Sequence, residues 1–119
     1  MFKMEEEIKK IIEENAVALA SIDHEGNPYC IAVAYVKVKD DKIVITANYM
    51  NTTLENIKSN PNVCLVVWNK GLEGYQIKGK AEYFEQGEWL EFVKAIPENK
   101  DEPCKGALIV EVNNIKKLS

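Results

Sequence analysis

Residues 45–63 read ITANYMNTTLENIKSNPNV and indicate a strand that turns into a helix and then into a second strand. β-branched residues lead into a polar loop, Thr52 and Thr53 open a short helix, and Asn60-Pro61 ends it. Free backbone N–H groups and the positive end of the helix dipole meet at such a helix N-terminus. The stretch therefore predicts a place that can hold an anion.

A helix cap is the alternative explanation for the same residues. Thr52 and Glu55 match the capping box, in which a hydroxyl and a carboxylate satisfy orphan amides at the helix start. The cap would explain both residues without a ligand, and it would place a carboxylate near any bound anion. The sequence leaves both readings open.

The composition indicates one domain over residues 1–119 and argues against nucleic acid as a partner. The hydrophobic fraction of 46% and charged fraction of 29% are ordinary for a globular protein. The formal net charge is −4, whereas binding to a phosphate backbone needs a basic face. All 15 basic residues are lysines. An anion must therefore be held without a guanidinium fork.

Cysteine and histidine usage predicts neither a metal site nor a catalytic triad. Cys30, Cys64 and Cys104 lie far apart, and His24 is the single histidine, placed in a turn. These residues are a poor zinc ligand set and offer no Ser-His-Asp arrangement, so we assign no catalytic side chain. The unpaired cysteines, an acidic N-terminus and the lack of a long apolar run predict a cytoplasmic chain without a membrane segment.

The remaining pattern predicts a mainly β chain with short helices. The connections between the early strands are too short for parallel crossovers, so the strands should be antiparallel. Six strands with this alternation favour a small closed barrel, which removes exposed edges. The predicted strands are residues 16–22, 29–39, 42–47, 63–68, 75–84 and 107–112; the helices are 5–15, 52–59 and a third around 89–96, and a basic tail follows at 116–119.

Three features together resemble the pyridoxamine 5′-phosphate oxidase-like flavoproteins, which are FMN-binding split barrels. They are the order of elements, the Asn-Pro-Asn-Val turn at 60–63, and the Ile-Lys-Gly-Lys-Ala stretch at 77–81 with its G-x-A core. The resemblance covers nearly the whole chain and is closest to the small single-domain FMN-binding type. It implies a six-stranded antiparallel split β-barrel and a homodimer with FMN near the dimer interface.

The resemblance also assigns FMN contacts to individual residues. The loop and helix start would line the flavin and its phosphate, a strand near residue 32 would pass beside the ring, and a lysine of a later strand would face the phosphate. The residues so implied are Ala32, Val33, Asn48, Tyr49, Met50, Asn51, Thr52, Thr53, Asn56 and Lys78.

One departure from the family bears on affinity. Many members carry Lys or Arg where this chain has Thr52 and Thr53. Losing one charge-assisted hydrogen bond, about 1.5–3 kcal/mol, would weaken FMN binding roughly ten- to a hundredfold. A lysine from the neighbouring strand is a candidate replacement.

The functional expectation is an FMN-binding oxidoreductase or electron-transfer protein that uses the flavin N5. The lack of an acid-base set fits a flavoprotein, because the cofactor carries the redox chemistry. The partner would be a small-molecule or redox-partner substrate, with no nucleic acid and no membrane. The alternatives are a deazaflavin-dependent reductase and a cofactor-free or sensory small-ligand-binding barrel.

Overall fold

The computed structural model describes residues 3–118, in which seven strands and three α-helices are found. No helix in this range has the length and apolar composition needed to cross a membrane. The elements in chain order are α1 (Glu6–Glu14), β1 (Val17–Ile22), β2 (Pro28–Val33), β3 (Lys37–Lys39), β4 (Lys42–Ala47), α2 (Thr52–Ser59), β5 (Asn62–Trp68), β6 (Gly74–Phe84), α3 (Glu88–Lys94), a 3₁₀ turn (Pro97–Asn99) and β7 (Gly106–Leu118).

The strands form one antiparallel sheet in the order β2-β1-β5-β6-β7-β4-β3. Every neighbouring pair is antiparallel, as the short connections predict. The mainly β split-barrel class is confirmed. The closed barrel is wrong, because β2 and β3 stand at opposite ends of the hydrogen-bonded order and do not pair with each other.

The count of six strands is also wrong, because the run predicted at residues 29–39 is two strands. The chain leaves β2 at Val33 and enters β3 at Lys37. Between them Tyr35 adopts a φ of 57°, a left-handed conformation that cannot continue a strand. Because of this break, β2 pairs with β1 and β3 pairs with β4.

β7 is longer than the sequence pattern predicts. It runs to Leu118, so residues 116–118 are strand and not a tail, whereas Ser119 lies outside the described residues. The strand continues because its second half pairs with the first half of β6, after a register shift between Lys78 and Gly79. A Cβ at Gly79 would collide with the carbonyl of Glu111, which explains glycine at this bulge.

The inner faces of the strands build the main core, and the helices close it. α1 packs on β3 and β5, and α2 packs on β1 and β6. α3 covers a second, smaller cluster on the outer side of β4 and β7. β7 serves both cores through its alternation: Leu108, Val110 and Val112 face the main core, whereas Ala107 and Ile109 face α3.

Candidate functional site

A cavity of about 520 Å³ opens where the end of β2, the end of β4 and the start of α2 meet. Its size lies within the range of small-molecule sites, about 300–1,000 Å³. It brings together eight of the ten residues implied by the sequence. These eight are Ala32, Val33, Asn48, Tyr49, Met50, Asn51, Thr52 and Thr53.

The N-terminus of α2 lines this cavity without a side-chain cap. Asn51 is the N-cap residue, but its backbone is helical (φ −90°, ψ −48°) and its side chain makes no capping hydrogen bond. The capping box is therefore wrong: Thr52 is already the first helical residue, and the carboxylate of Glu55 lies 3.5 Å from Lys58 Nζ at the surface. The first-turn amides have no intrahelical acceptor and remain available to a ligand.

Thr53 supplies a second, independent sign of a ligand. Thr53 is 1% exposed and lines the cavity, and its Oγ1 has no hydrogen-bond partner among residues 3–118. A buried hydroxyl without a partner costs about 1–3 kcal/mol, and such groups are rare. Thr53 also stands in the first turn of α2 beside the free amides, so an acceptor-rich group such as a phosphate fits this end of the site.

Six further residues line the cavity that the sequence analysis did not select. The sequence offered a weak sign that Thr46 belongs to a site, because it places a hydroxyl within the otherwise apolar run of residues 43–47. Glu102 carried none, because it reaches the cavity from a loop about fifty residues away in sequence. The six are Tyr29, Ile31, Ala34, Tyr35, Thr46 and Glu102.

Three tyrosines give the cavity an aromatic rim. Tyr29, Tyr35 and Tyr49 all line it and are all exposed, Tyr49 to 71%. The left-handed backbone at Tyr35 is unusual for a bulky residue, and such strain tends to occur at ligand sites. Exposed rings around a cavity suit a planar aromatic ligand.

The charge of the cavity is negative. Among residues 3–118 Glu102 is the one charged residue that lines it, and no lysine does. Interaction with the Glu102 carboxylate raises the pKa of the Tyr49 phenol above its usual value. An anion in the cavity must therefore be held by neutral donors.

Two residues implied by the resemblance lie outside the cavity. Asn56 is buried and donates its side-chain N–H to Ser21 Oγ at 3.0 Å, which ties α2 to β1. Lys78 is exposed on β6, in register with Cys64 of β5 and Asn114 of β7. Neither residue lines the cavity with the other eight.

Comparison with known proteins identifies the family. The sequence model of the family described as pyridoxamine 5′-phosphate oxidase matches residues 4–118. The chain belongs to the pyridoxamine 5′-phosphate oxidase family. One relative is an uncharacterised protein of Methanocaldococcus jannaschii, which is 35% identical to this chain. The match covers 98% of this chain and 81% of the relative.

Solved structures share the fold of this family member over almost its whole length. HupZ of Group A Streptococcus has a TM-score of 0.89 at 24% identity, covering 98% of this chain and 94% of HupZ. An FMN-binding protein of Syntrophomonas wolfei has a TM-score of 0.79 at 16% identity, covering 96% and 85%. An F420 reductase has a TM-score of 0.74 at 17% identity, covering 95% and 98%. These TM-scores show a common fold.

Proposed function

We propose that this chain is an FMN-binding flavoprotein that transfers hydride or electrons to or from a small-molecule or protein redox partner. The observation that carries the proposal is the cavity at the start of α2. Uncapped amides lie there beside the Thr53 hydroxyl, which has no hydrogen-bond partner in the described part of the chain. Membership of the pyridoxamine 5′-phosphate oxidase family and the fold shared with an FMN-binding protein support it.

The residues of the cavity divide between the two ends of the cofactor. The first-turn amides of Thr52 and Thr53, together with the Thr53 hydroxyl, hold the phosphate at the positive end of the helix dipole. Ala32 and Val33 present a small, apolar surface to the isoalloxazine ring, and Asn48 and Met50 close the loop over it. When bound, FMN supplies hydride or electron transfer through its N5, and the protein supplies position and electrostatics.

The proposal assigns no FMN contact to Asn56 or Lys78, because neither lines the cavity. Asn56 instead holds α2 against β1. Because no lysine among residues 3–118 lines the cavity, we expect FMN to bind roughly ten- to a hundredfold more weakly than in relatives that carry Lys or Arg at the helix start.

The test is a visible absorbance spectrum of the purified protein before and after addition of FMN and removal of the excess. Flavin bands that remain with the protein support the proposal. The double variant Thr52→Val and Thr53→Val should lose those bands while its circular dichroism stays unchanged. Retention of FMN by the double variant would contradict the assignment of Thr52 and Thr53 to the FMN phosphate. A wild-type protein that stays colourless after addition of FMN would contradict FMN as the cofactor.

The same titration with F420 separates the deazaflavin alternative. The deazaflavin tail is acidic, and the cavity offers the Glu102 carboxylate and no lysine among the described residues. We therefore expect FMN to bind more tightly than F420. Binding of F420 alone would reassign the protein as a deazaflavin-dependent reductase, and binding of neither would favour the cofactor-free barrel.

We also propose that the chain forms a homodimer through the outer face of β2, β1 and β5. This face is apolar and partly exposed, and Trp68 on it is 47% exposed. It is continuous with the cavity at Ala32, which belongs to both. The side chains that share the face are Ala18, Ala20, Ile22, Cys30, Ala32, Cys64, Val66 and Trp68.

The dimer is tested by the molar mass in solution, measured by light scattering after size exclusion. Wild type should have twice the chain mass, and Ala20→Glu, at the centre of the face, should have the mass of one chain. Ala95→Glu, at the exposed end of α3, is the matched control and should stay dimeric. A monomeric wild type would contradict the proposal.

A cytoplasmic location is the last part of the proposal. Cys30, Cys64 and Cys104 are all free thiols, as expected where the compartment keeps thiols reduced. Fractionation of source cells tests it, and recovery in a membrane or secreted fraction would contradict it.

A further inference from the structure

The loop of residues 97–105, between α3 and β7, contacts the cavity from behind. We propose that this 97–105 segment sets the hydrogen-bonding polarity of the cavity, with Asn99 and the backbone of Cys104 as its positioning groups. They engage the acceptor atoms of Thr46 and Asn48, so that the donor groups of these two residues face the ligand. The inference rests on the proposed function, since the ligand it describes is FMN.

The first contact fixes the orientation of the Thr46 hydroxyl. Asn99 Nδ2 lies 2.6 Å from Thr46 Oγ1 and 3.3 Å from the carbonyl oxygen of Val93. The carbonyl of Val93 accepts only, so the group beside it must be the amide N–H₂ of Asn99. Thr46 Oγ1 therefore accepts from Asn99, and the O–H of Thr46 remains a free donor on a residue that lines the cavity.

The second contact does the same for Asn48. The backbone N–H of Cys104 donates to Asn48 Oδ1 at 2.9 Å. Because the oxygen of this amide is held by the loop, its N–H₂ group is turned away from the loop and remains a donor. Asn48 also lines the cavity.

The segment is itself well anchored for this task. Cys104 Sγ lies 3.5 Å from the carbonyl oxygen of Asn99, which links the two positioning groups to each other. The backbone N–H of Lys105 donates to the carbonyl of Ala47 at 2.9 Å, beside the cavity. Thr46 and Asn48 thus stand on either side of a backbone hydrogen bond to the same loop.

Among the described residues the Asn99 side chain has hydrogen-bond partners for its Nδ2 but none for its Oδ1. Asn99 is 2% exposed, so this oxygen is buried. A leucine would avoid the cost of burying that oxygen. The other branch of the amide is fully used, because Nδ2 donates both to Thr46 Oγ1 and to the Val93 carbonyl at the end of α3.

The consequence is a cavity wall of neutral donors. Three cavity residues contribute to this wall. The acceptor oxygens of Thr46 and Asn48 are engaged by the 97–105 segment, which leaves the Thr46 O–H and the Asn48 N–H₂ as donors. The Thr53 O–H has no acceptor among residues 3–118. Such a wall selects an acceptor-rich ligand, as a phosphate or the carbonyls of a flavin ring are, without any cation. It accounts for how a chain lacking arginine can hold FMN.

The test is Asn99→Asp, followed by the dissociation constant of FMN at pH 8 and pH 5 for wild type and variant. An ionised carboxylate only accepts, so it would take the Thr46 O–H away from the ligand and weaken binding about tenfold at pH 8. Burial raises the pKa of a carboxyl, so the loss should lessen as the pH is lowered and the carboxyl regains the proton with which it can donate to Thr46. The ratio of the variant and wild-type dissociation constants should therefore be smaller at pH 5 than at pH 8. FMN affinity equal in wild type and Asn99→Asp at pH 8, or a loss that grows as the pH is lowered, would overturn the inference.

A second variant keeps the test independent of the folding of Asn99→Asp. Asn48→Asp retains an acceptor for the Cys104 N–H but removes the donor, so it should fold normally and bind FMN at least tenfold more weakly. Asn60→Asp is the matched control: its Oδ1 accepts from the N–H of Asn62 at 3.1 Å, and it lies outside the cavity. Unchanged FMN affinity in Asn48→Asp would overturn the inference.

The outcomes separate the two proposals. If wild type binds FMN and neither Asn99→Asp nor Asn48→Asp changes the affinity, the inference alone fails. If wild type binds neither FMN nor riboflavin, the proposed function fails and the inference is rejected with it.

Discussion

Asn56 donates its side-chain N–H to Ser21 Oγ at 3.0 Å, and this buried hydrogen bond joins α2 to β1. Both residues are almost fully buried, and Ile57 beside them packs into the main core. The bond fixes where the N-terminus of α2 points, because the helix is only eight residues long. The direction of the free amides at the cavity therefore depends on a contact at the other side of the helix.

Ser21→Ala should lower the free energy of unfolding by about 1–3 kcal/mol, because it leaves the Asn56 amide buried without an acceptor. Urea denaturation measures the change, and FMN affinity should fall with it as α2 loosens. Ser59→Ala is the control, since Ser59 Oγ donates to the Asn56 carbonyl at a partly exposed site and should cost less. Equal stability of Ser21→Ala and wild type would show that the bond does not hold the helix.

Glu102→Gln should tighten FMN binding by about two- to fivefold, because it removes a negative charge from a cavity that takes a dianionic phosphate. The gain should shrink at high salt, where the repulsion is screened. Isothermal titration at low and high salt measures both effects. Asp101→Asn makes the same charge change on the neighbouring residue, outside the cavity lining, and should have a smaller effect. A gain as large in Asp101→Asn would point to net charge and not to the site.

Asp41→Asn should lower the melting temperature at pH 7, with the difference closing as the pH falls towards 3. The backbone N–H of Met4 and then Lys9 Nζ, each 3.2 Å away, hold the pKa of the Asp41 carboxyl below its usual value. A carboxyl whose pKa is lower in the folded state stabilises the fold when the pH is above its unfolded-state pKa, near 3.9. That stabilisation is lost as the pH falls through the folded-state pKa. These contacts hold α1 and the residues before it against the turn at Asp41, so they stabilise the packing of α1 over the main core.

Asp40→Asn is the matched control for this prediction, because both residues of the turn have a left-handed backbone (φ 54° and 60°) that asparagine tolerates. Its melting temperature should follow wild type over the same pH range. A difference between Asp41→Asn and wild type that persists unchanged at pH 3 would contradict the charge-based explanation.

The local part of the site could be predicted from the sequence because its signals are contiguous. Residues 45–63 carry their own strand, loop and helix signals, and β4, α2 and the start of β5 lie where those signals place them. Six of the eight predicted residues that line the cavity come from residues 48–53.

The rest could not be predicted, for identifiable physical reasons. The break at Tyr35 has no glycine, proline or asparagine to announce it, so the run at 29–39 reads as one strand. Glu102 and Asn99 reach the site through tertiary packing of a distant loop. The capping box fails because Asn51, one residue earlier, already has a helical backbone, a matter of φ and ψ that the pattern does not contain.

The most direct measurement is the dissociation constants of FMN and riboflavin for wild type, Thr53→Val and Thr53→Ser, together with the melting temperatures of the ligand-free proteins. Valine keeps the volume of Thr53 and removes a hydroxyl that has no partner within residues 3–118, so the ligand-free variant should be as stable as wild type or more stable. FMN binding should weaken by about ten- to a hundredfold, riboflavin binding should not change, and Thr53→Ser should retain FMN. Equal losses for FMN and riboflavin, or unchanged FMN affinity in Thr53→Val, would contradict a phosphate site at the start of α2.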